Sequence, residues 1–164
     1  MQLDYNVVPA VAFPGMLADL GWKMVESFAS GEVSAAIPFG AAVKQKTGVG
    51  VDDQALLCVA NTDEILGVLI HAHAYAKGGA LPELNDIGVL PKAELSVARY
   101  GRVYVKVGAS VSKGNRAYFQ TSTGLWRASA VGGDTIDSSK VASFRTSAAA
   151  NGVAVLEFNF TVQP

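Results

Sequence analysis

The sequence predicts an all-β fold: a single-domain β-barrel or jelly-roll-like sandwich with an extended N-terminal arm and little helix. Three observations predict it. From about Tyr100 onward apolar residues recur at every second position. The short runs that carry this alternation are separated by Gly, Asn, Ser and Thr, the residues of turns. Pro9, Pro14 and Pro38 interrupt the apolar stretches of the first 40 residues before any of them can run on as helix. A chain of 164 residues suffices for one sizeable hydrophobic core, so residues 1–164 are read as one β domain, with 1–40 a partly extended arm.

Taken in order, Leu3 to Phe13 reads as extended. Met16 to Gly21 and Val25 to Ala29 each have the length of one or two helical turns, with Gly31 to end the second, but neither is long enough to be stable alone. The apolar runs Ala55 to Ala60 and Ile65 to Ile70 flank the turn formers Asn61-Thr62-Asp63-Glu64, and such runs suit strands buried on both faces. Gly, Pro, Asn and Asp between Gly78 and Pro91 read as a long connecting loop. Arg102 to Val107 places Val103, Val105 and Val107 on one face and Arg102, Tyr104 and Lys106 on the other. Ala117-Tyr118-Phe119 and Leu125-Trp126-Arg127 continue as a meander through turns at Ser112 to Asn115 and Thr121 to Gly124. After a break at Gly132-Gly133-Asp134, Val141 to Thr146 runs towards Asn151-Gly152, the strongest two-residue hairpin signal in the chain. In the final strand Ala154, Leu156, Phe158, Phe160 and Val162 share a face.

Charge narrows the function classes. A net charge of -1 offers no clustered basic face to replace phosphate counterions, which disfavours direct nucleic-acid binding. The longest apolar runs fall well short of the roughly 20 residues of a membrane helix, and the first residues lack the basic and apolar regions of a signal peptide, so the chain reads as a protein of the cytoplasm that made it. Cys58 is the single cysteine, so an internal disulfide is excluded, and its setting among Ala, Leu and Val is that of a small buried hydrophobe. Charged residues make up only 16% of the chain, against roughly a quarter in ordinary domains. That composition reflects either simple Ala and Gly richness or a surface covered by partner subunits.

No coherent catalytic set emerges, and the chain reads as a non-enzyme without cofactors. His71 and His73, two residues apart on a strand, would point the same way and could share a metal ion. The spacing resembles the His-x-His of cupin barrels, but the following Glu and the later His of that pattern are missing. A metal- or ligand-binding barrel using His71 and His73 is therefore the alternative reading. Gly48-Val49-Gly50-Val51-Asp52-Asp53 begins like a dinucleotide loop, yet Asp53 stands where its third glycine belongs, so it reads as a turn between strands.

Two segments carry a resemblance. Pro14-Gly15-Met16-Leu17-Ala18-Asp19-Leu20-Gly21 and Ile37-Pro38-Phe39-Gly40-Ala41-Ala42-Val43 resemble the opening of tailed-phage structural cement, or capsid decoration, proteins. Leu66-Gly67-Val68-Leu69, Gly101 to Val105, Gly114 to Phe119 and Ala154-Val155-Leu156 follow in the family's order. The resemblance implies a barrel or jelly roll on the outer surface of the virion's shell, contacting the major capsid protein and copies of itself as a dimer or trimer. It also implies an interface drawn from the apolar residues of the arm and its surroundings: Tyr5, Val7, Val8, Val11, Phe13, Trp22 and Phe39. A tail or host-adhesion module is the other structural role such a chain could fill.

Overall fold

The computed structural model describes residues 12–19, 21–71 and 88–161. Among them are twelve strands and no helix: β1 Met24–Ser30, β2 Ile37–Pro38, β3 Ala42–Gln45, β4 Gln54–Leu57, β5 Gly67–Ile70, β6 Gly88–Val89, β7 Glu94–Lys106, β8 Tyr118–Gln120, β9 Leu125–Arg127, β10 Thr135–Asp137, β11 Ala142–Phe144 and β12 Val153–Asn159. The main sheet has the order β1-β4-β3-β5-β7-β12-β11, and β7 also pairs with β1. The first five strands therefore close on themselves as a barrel, which removes most of the sheet's exposed edge. β10-β8-β9 and β2-β6 form two smaller sheets.

Alternation along the barrel strands separates two cores. Val43, Ala55, Leu69, Leu95 and Val97 point into the barrel, where Ile37, Phe39, Leu66 and Val89 complete the filling. Ala42, Val68, Ile70 and Ala98 point outward and form one wall of a larger core with Val103, Val105, Phe119, Trp126, Phe144, Leu156 and Phe158. β5 serves both cores, which is why all four of its residues are buried.

β7 joins the two cores and has to change its inward face to do so. Leu95 and Val97 fill the barrel, whereas Val103 and Val105, in the same odd series, lie in the outer core beside even-numbered Ala98. A bulge accounts for the switch: Met24 pairs with Tyr100 but the next residue, Val25, pairs with Ala98, so Arg99 is an extra residue on β7. Beyond it β7 pairs with β12 from Tyr100 to Lys106.

Several expectations are met with altered detail. Val103, Val105 and Val107 are buried on one face, and Ala154, Leu156, Phe158 and Phe160 share the buried face of the last strand and its continuation. Val25 to Ala29 is not helical but lies within β1, because five residues of β7, Glu94 to Ala98, are there to pair with it, and that pairing outweighs a weak local preference. Met16 to Asp19 is also extended, with Leu17 bridged to Val103. The part of residues 1–40 that belongs to the barrel thus begins at Met24. β4 is only partly buried, and β4 and β5 flank β3 rather than pairing with each other. Asn151 and Gly152 are not the two centre residues of a tight hairpin. Asn151, at φ 62, is the third residue of a turn closed by Gly152 N–H on the Ala149 carbonyl, inside a longer connection between β11 and β12. Most of the loop expected from Gly78 to Pro91 lies outside the described residues.

Candidate partner-binding surface

The two segments that carried the resemblance meet in space. Gly15 and Gly40 both adopt left-handed backbone, at φ +85 and +79. A Cβ on Gly15 would lie 2.9 Å from Phe39 Cβ and 3.0 Å from the His71 nitrogen, and one on Gly40 would lie 3.2 Å from the Gly15 nitrogen. Only glycine permits both the torsion and the approach. The exposed backbone groups are then all used. Gly15 N–H donates to the Tyr104 carbonyl at 2.7 Å, His71 N–H to Gly15 at 2.9 Å, and Gly40 N–H to Leu69 at 2.8 Å. The buried Trp126 indole donates to the Gly40 carbonyl at 2.7 Å.

Downstream of this crossing, residues 15–18 run along β7, with Tyr104 N–H donating to Met16 and Ala18 N–H to Arg102. Asp19 ends the run: one carboxylate oxygen accepts from Gly21 N–H and the other from Arg102. Arg102 also reaches Glu157, which accepts from Arg145, so four charged side chains tie the segment to β7, β12 and the loop after β11. Residues 13–19 are thus tied to β7 and its neighbours, and form the root of the described N-terminal segment.

The aromatic residues around the root have different fates. Trp22 is 92% exposed, and Met24, Val25 and Tyr100, its neighbours along β1 and β7, are exposed as well. Phe13 is half-buried, its ring 4.9 Å from that of His71, and Phe39 lies on the same imidazole at 4.7 Å. Phe39 is buried in the barrel core with 6% exposed, so packing occupies it and it leaves the set of contact candidates. Tyr5, Val7, Val8 and Val11 lie outside the described residues. Trp126 is core, its ring 5.1 Å from that of Phe119.

The residues with chemical potential are placed as follows. His71 sits between the two phenylalanines, and His73 lies outside the described residues. Among the described residues no three His, Cys, Asp or Glu side chains converge as a metal site would require. Burial pushes the Cys58 thiol up to about 12, far from the thiolate a reactive cysteine needs. Gly48 to Asp53 is the turn from β3 into β4. Sequence reasoning did not foresee the cleft over Lys44, Lys46, Thr62, Glu64 and Arg99, where Lys44 pairs with Asp63 at 2.8 Å. Those residues come from three separated segments, and no local pattern links them.

The comparisons with known proteins bear on the whole chain. The family model described as "Structural cement protein (E217 gp24/Pam3 gp6)" matches residues 1–159. A chain in the solved structure of the capsid of Myoviridae phage XM1 shares the fold with a TM-score of 0.66 at 16% identity, covering 99% of this chain and 100% of that one. No curated protein matches the sequence.

Proposed function

Because the chain belongs to the phage structural cement protein family, and is on that ground a virion structural protein, we propose that it binds the outer surface of the assembled capsid and reinforces contacts between major capsid proteins. The observation that carries the finer reading is the root of the arm. A segment clamped by backbone bonds and ion pairs leads directly into Trp22, a 92% exposed indole, flanked by the exposed Met24, Val25 and Tyr100. Leaving such groups in water is unfavourable, and large aromatic side chains are the usual anchors of protein interfaces. A rigid root also lowers the ordering cost when the residues around it meet a partner. The role is adhesive, and the residues described serve packing, turn closure and contact.

Occupancy on purified shells tests this. Shells lacking the protein are mixed with wild type, with Trp22→Ala, and with a chain lacking residues 1–11, and bound copies are counted and located by imaging. We expect Trp22→Ala to weaken attachment by about 2 kcal/mol, roughly 30-fold in Kd. Removal of residues 1–11 should also lower occupancy while circular dichroism stays that of the folded barrel. Density for the protein on the tail alone, or unchanged occupancy for both variants, overturns the reading.

A further inference from the structure

The strand that closes the barrel is paired along only part of its second edge. β1 pairs with β7 from Met24 to Ala29, but with β4 only at Ala29 and Ser30. The Ala29 N–H donates to the Asp53 carbonyl and that of Gly31 to Ala55, whereas the Ser30 N–H donates to Ala93 in the opposite direction. Backbone groups alternate along a strand, so Val25 and Ser27 aim theirs the same way as Ala29, away from β7. Among the described residues nothing bonds to them. Two N–H and two C=O groups therefore stand open along residues 24–28.

Natural proteins usually defend such an edge with lysine, proline or a bulge that twists it away. Here residues 24–28 hold no lysine and no proline, and the bulge lies in β7, on the covered side. The one charge, Glu26, already sits 3.3 Å from Arg99. Val25 is 40% exposed and Trp22 stands just before the strand.

We propose that this edge takes a second copy of the same chain, the β1 strands of two subunits pairing antiparallel about a two-fold axis at Glu26. Hydrogen bonding selects the register. Centring the axis on Ser27 would call on Ala29, whose N–H is already given to Asp53. Centring it on Val25 would set Ser27 opposite Lys23, which lies outside the strand. Centring it on Glu26 sets Val25 of each copy against Ser27 of the other and satisfies all four open groups on both. The two Glu26 side chains then face each other, which bare carboxylates would resist, but each carries its own Arg99. An interface built from the same residues on both sides closes as a dimer and leaves no edge for further addition.

The dimer needs no shell, so its failure in solution leaves the capsid reading standing, and loss of shell binding leaves the dimer untouched. Residues facing each other at a non-hydrogen-bonded antiparallel position lie about 4.5 Å apart at Cα, within disulfide range. Glu26→Cys under mild oxidation should therefore yield a covalent dimer on a non-reducing gel, while wild type, whose sole thiol is the buried Cys58, should not. Ser27→Pro removes an N–H that has no partner among the described residues, and should raise the dimer dissociation constant at least tenfold by sedimentation. An uncross-linked Glu26→Cys chain overturns the proposal, as does a dimer that disappears when residues 1–11 are removed, because the arm would then be the occupant. A folded Ser27→Pro chain that sediments like wild type overturns it equally. If Ser27→Pro does not fold, the Glu26→Cys cross-link alone decides.

Discussion

Gly15 and Gly50 both lie at positive φ, yet the same methyl group should affect them differently. Around Gly50 there is nothing within 4 Å of an added Cβ, whereas the Cβ of Gly15→Ala would press on Phe39 and on the His71 nitrogen. The first substitution carries only the left-handed penalty of about 1 kcal/mol. The second adds overpacking against backbone that is itself hydrogen-bonded, for a total of about 2–4 kcal/mol. Denaturant unfolding should separate the two, and equal midpoints for Gly15→Ala and Gly50→Ala would show that the crossing is not tight. The residues of this crossing were legible as a motif, but their contact was not. Gly15 and Gly40 belong to different segments and touch through backbone, which leaves no trace in hydropathy. Phe39 was misplaced for a related reason: between Pro38 and Gly40 no alternation exists to tell an inward ring from an outward one. Trp126 lies in the meander legible from Ala117 to Arg127 and is core.

At the scale of elements, carboxylates hold loops to strands. Asp134 accepts from the Ser122 hydroxyl and backbone, the Gln120 amide and the Thr121 hydroxyl, which pins the β8–β9 turn to the start of β10. Those donors hold its carboxyl well below the ordinary range. Ser139 does the same for Asp137, and Arg145, with Arg102, for Glu157. For Asp63 burial pulls upward but is outweighed by the Lys44 ammonium and the N–H groups of Ala60 and Val59. Each group binds its proton more weakly folded than unfolded, so its contribution is complete above the unfolded value near pH 4 and is lost as pH falls through the folded value. The unfolding midpoint should therefore drop between about pH 5 and pH 3. Asp134→Asn should be less stable than wild type at neutral pH and lose less on acidification, and a parallel acid slope in the two proteins would dismiss the clamp. The strands themselves were legible wherever alternation ran unbroken, as in Arg102 to Val107 and the last strand. β1 was missed because its alternation is weak and its partner in β7 lies some 70 positions away. The bulge at Arg99 was invisible for the same reason: an extra residue is defined only against the strand opposite.

Closure of the barrel is a property of the whole molecule. β7 supplies it by pairing with both β1 and β5, contacts between distant parts of the chain that no local pattern predicts. The all-β class, by contrast, follows from composition and period alone. If the closed barrel reinforces a shell, it does so by linkage: a protein that binds the intact lattice better than its separated subunits stabilises each site by RT ln(1 + [L]/Kd), about 2.7 kcal/mol at a hundredfold excess over Kd. If such a lattice fails as a unit, many modest sites act together. The disruption temperature of undecorated shells should accordingly stay flat below Kd and then rise with the logarithm of free protein concentration. Trp22→Ala should move the onset of that rise to higher concentration without changing its slope, since it alters affinity and not the number of sites. A shell that saturates with the protein yet comes apart at its original temperature would mean that broken and intact lattice are bound equally well. Equal affinity for two states shifts neither, however tight the binding, and the protein would then coat the shell without cementing it.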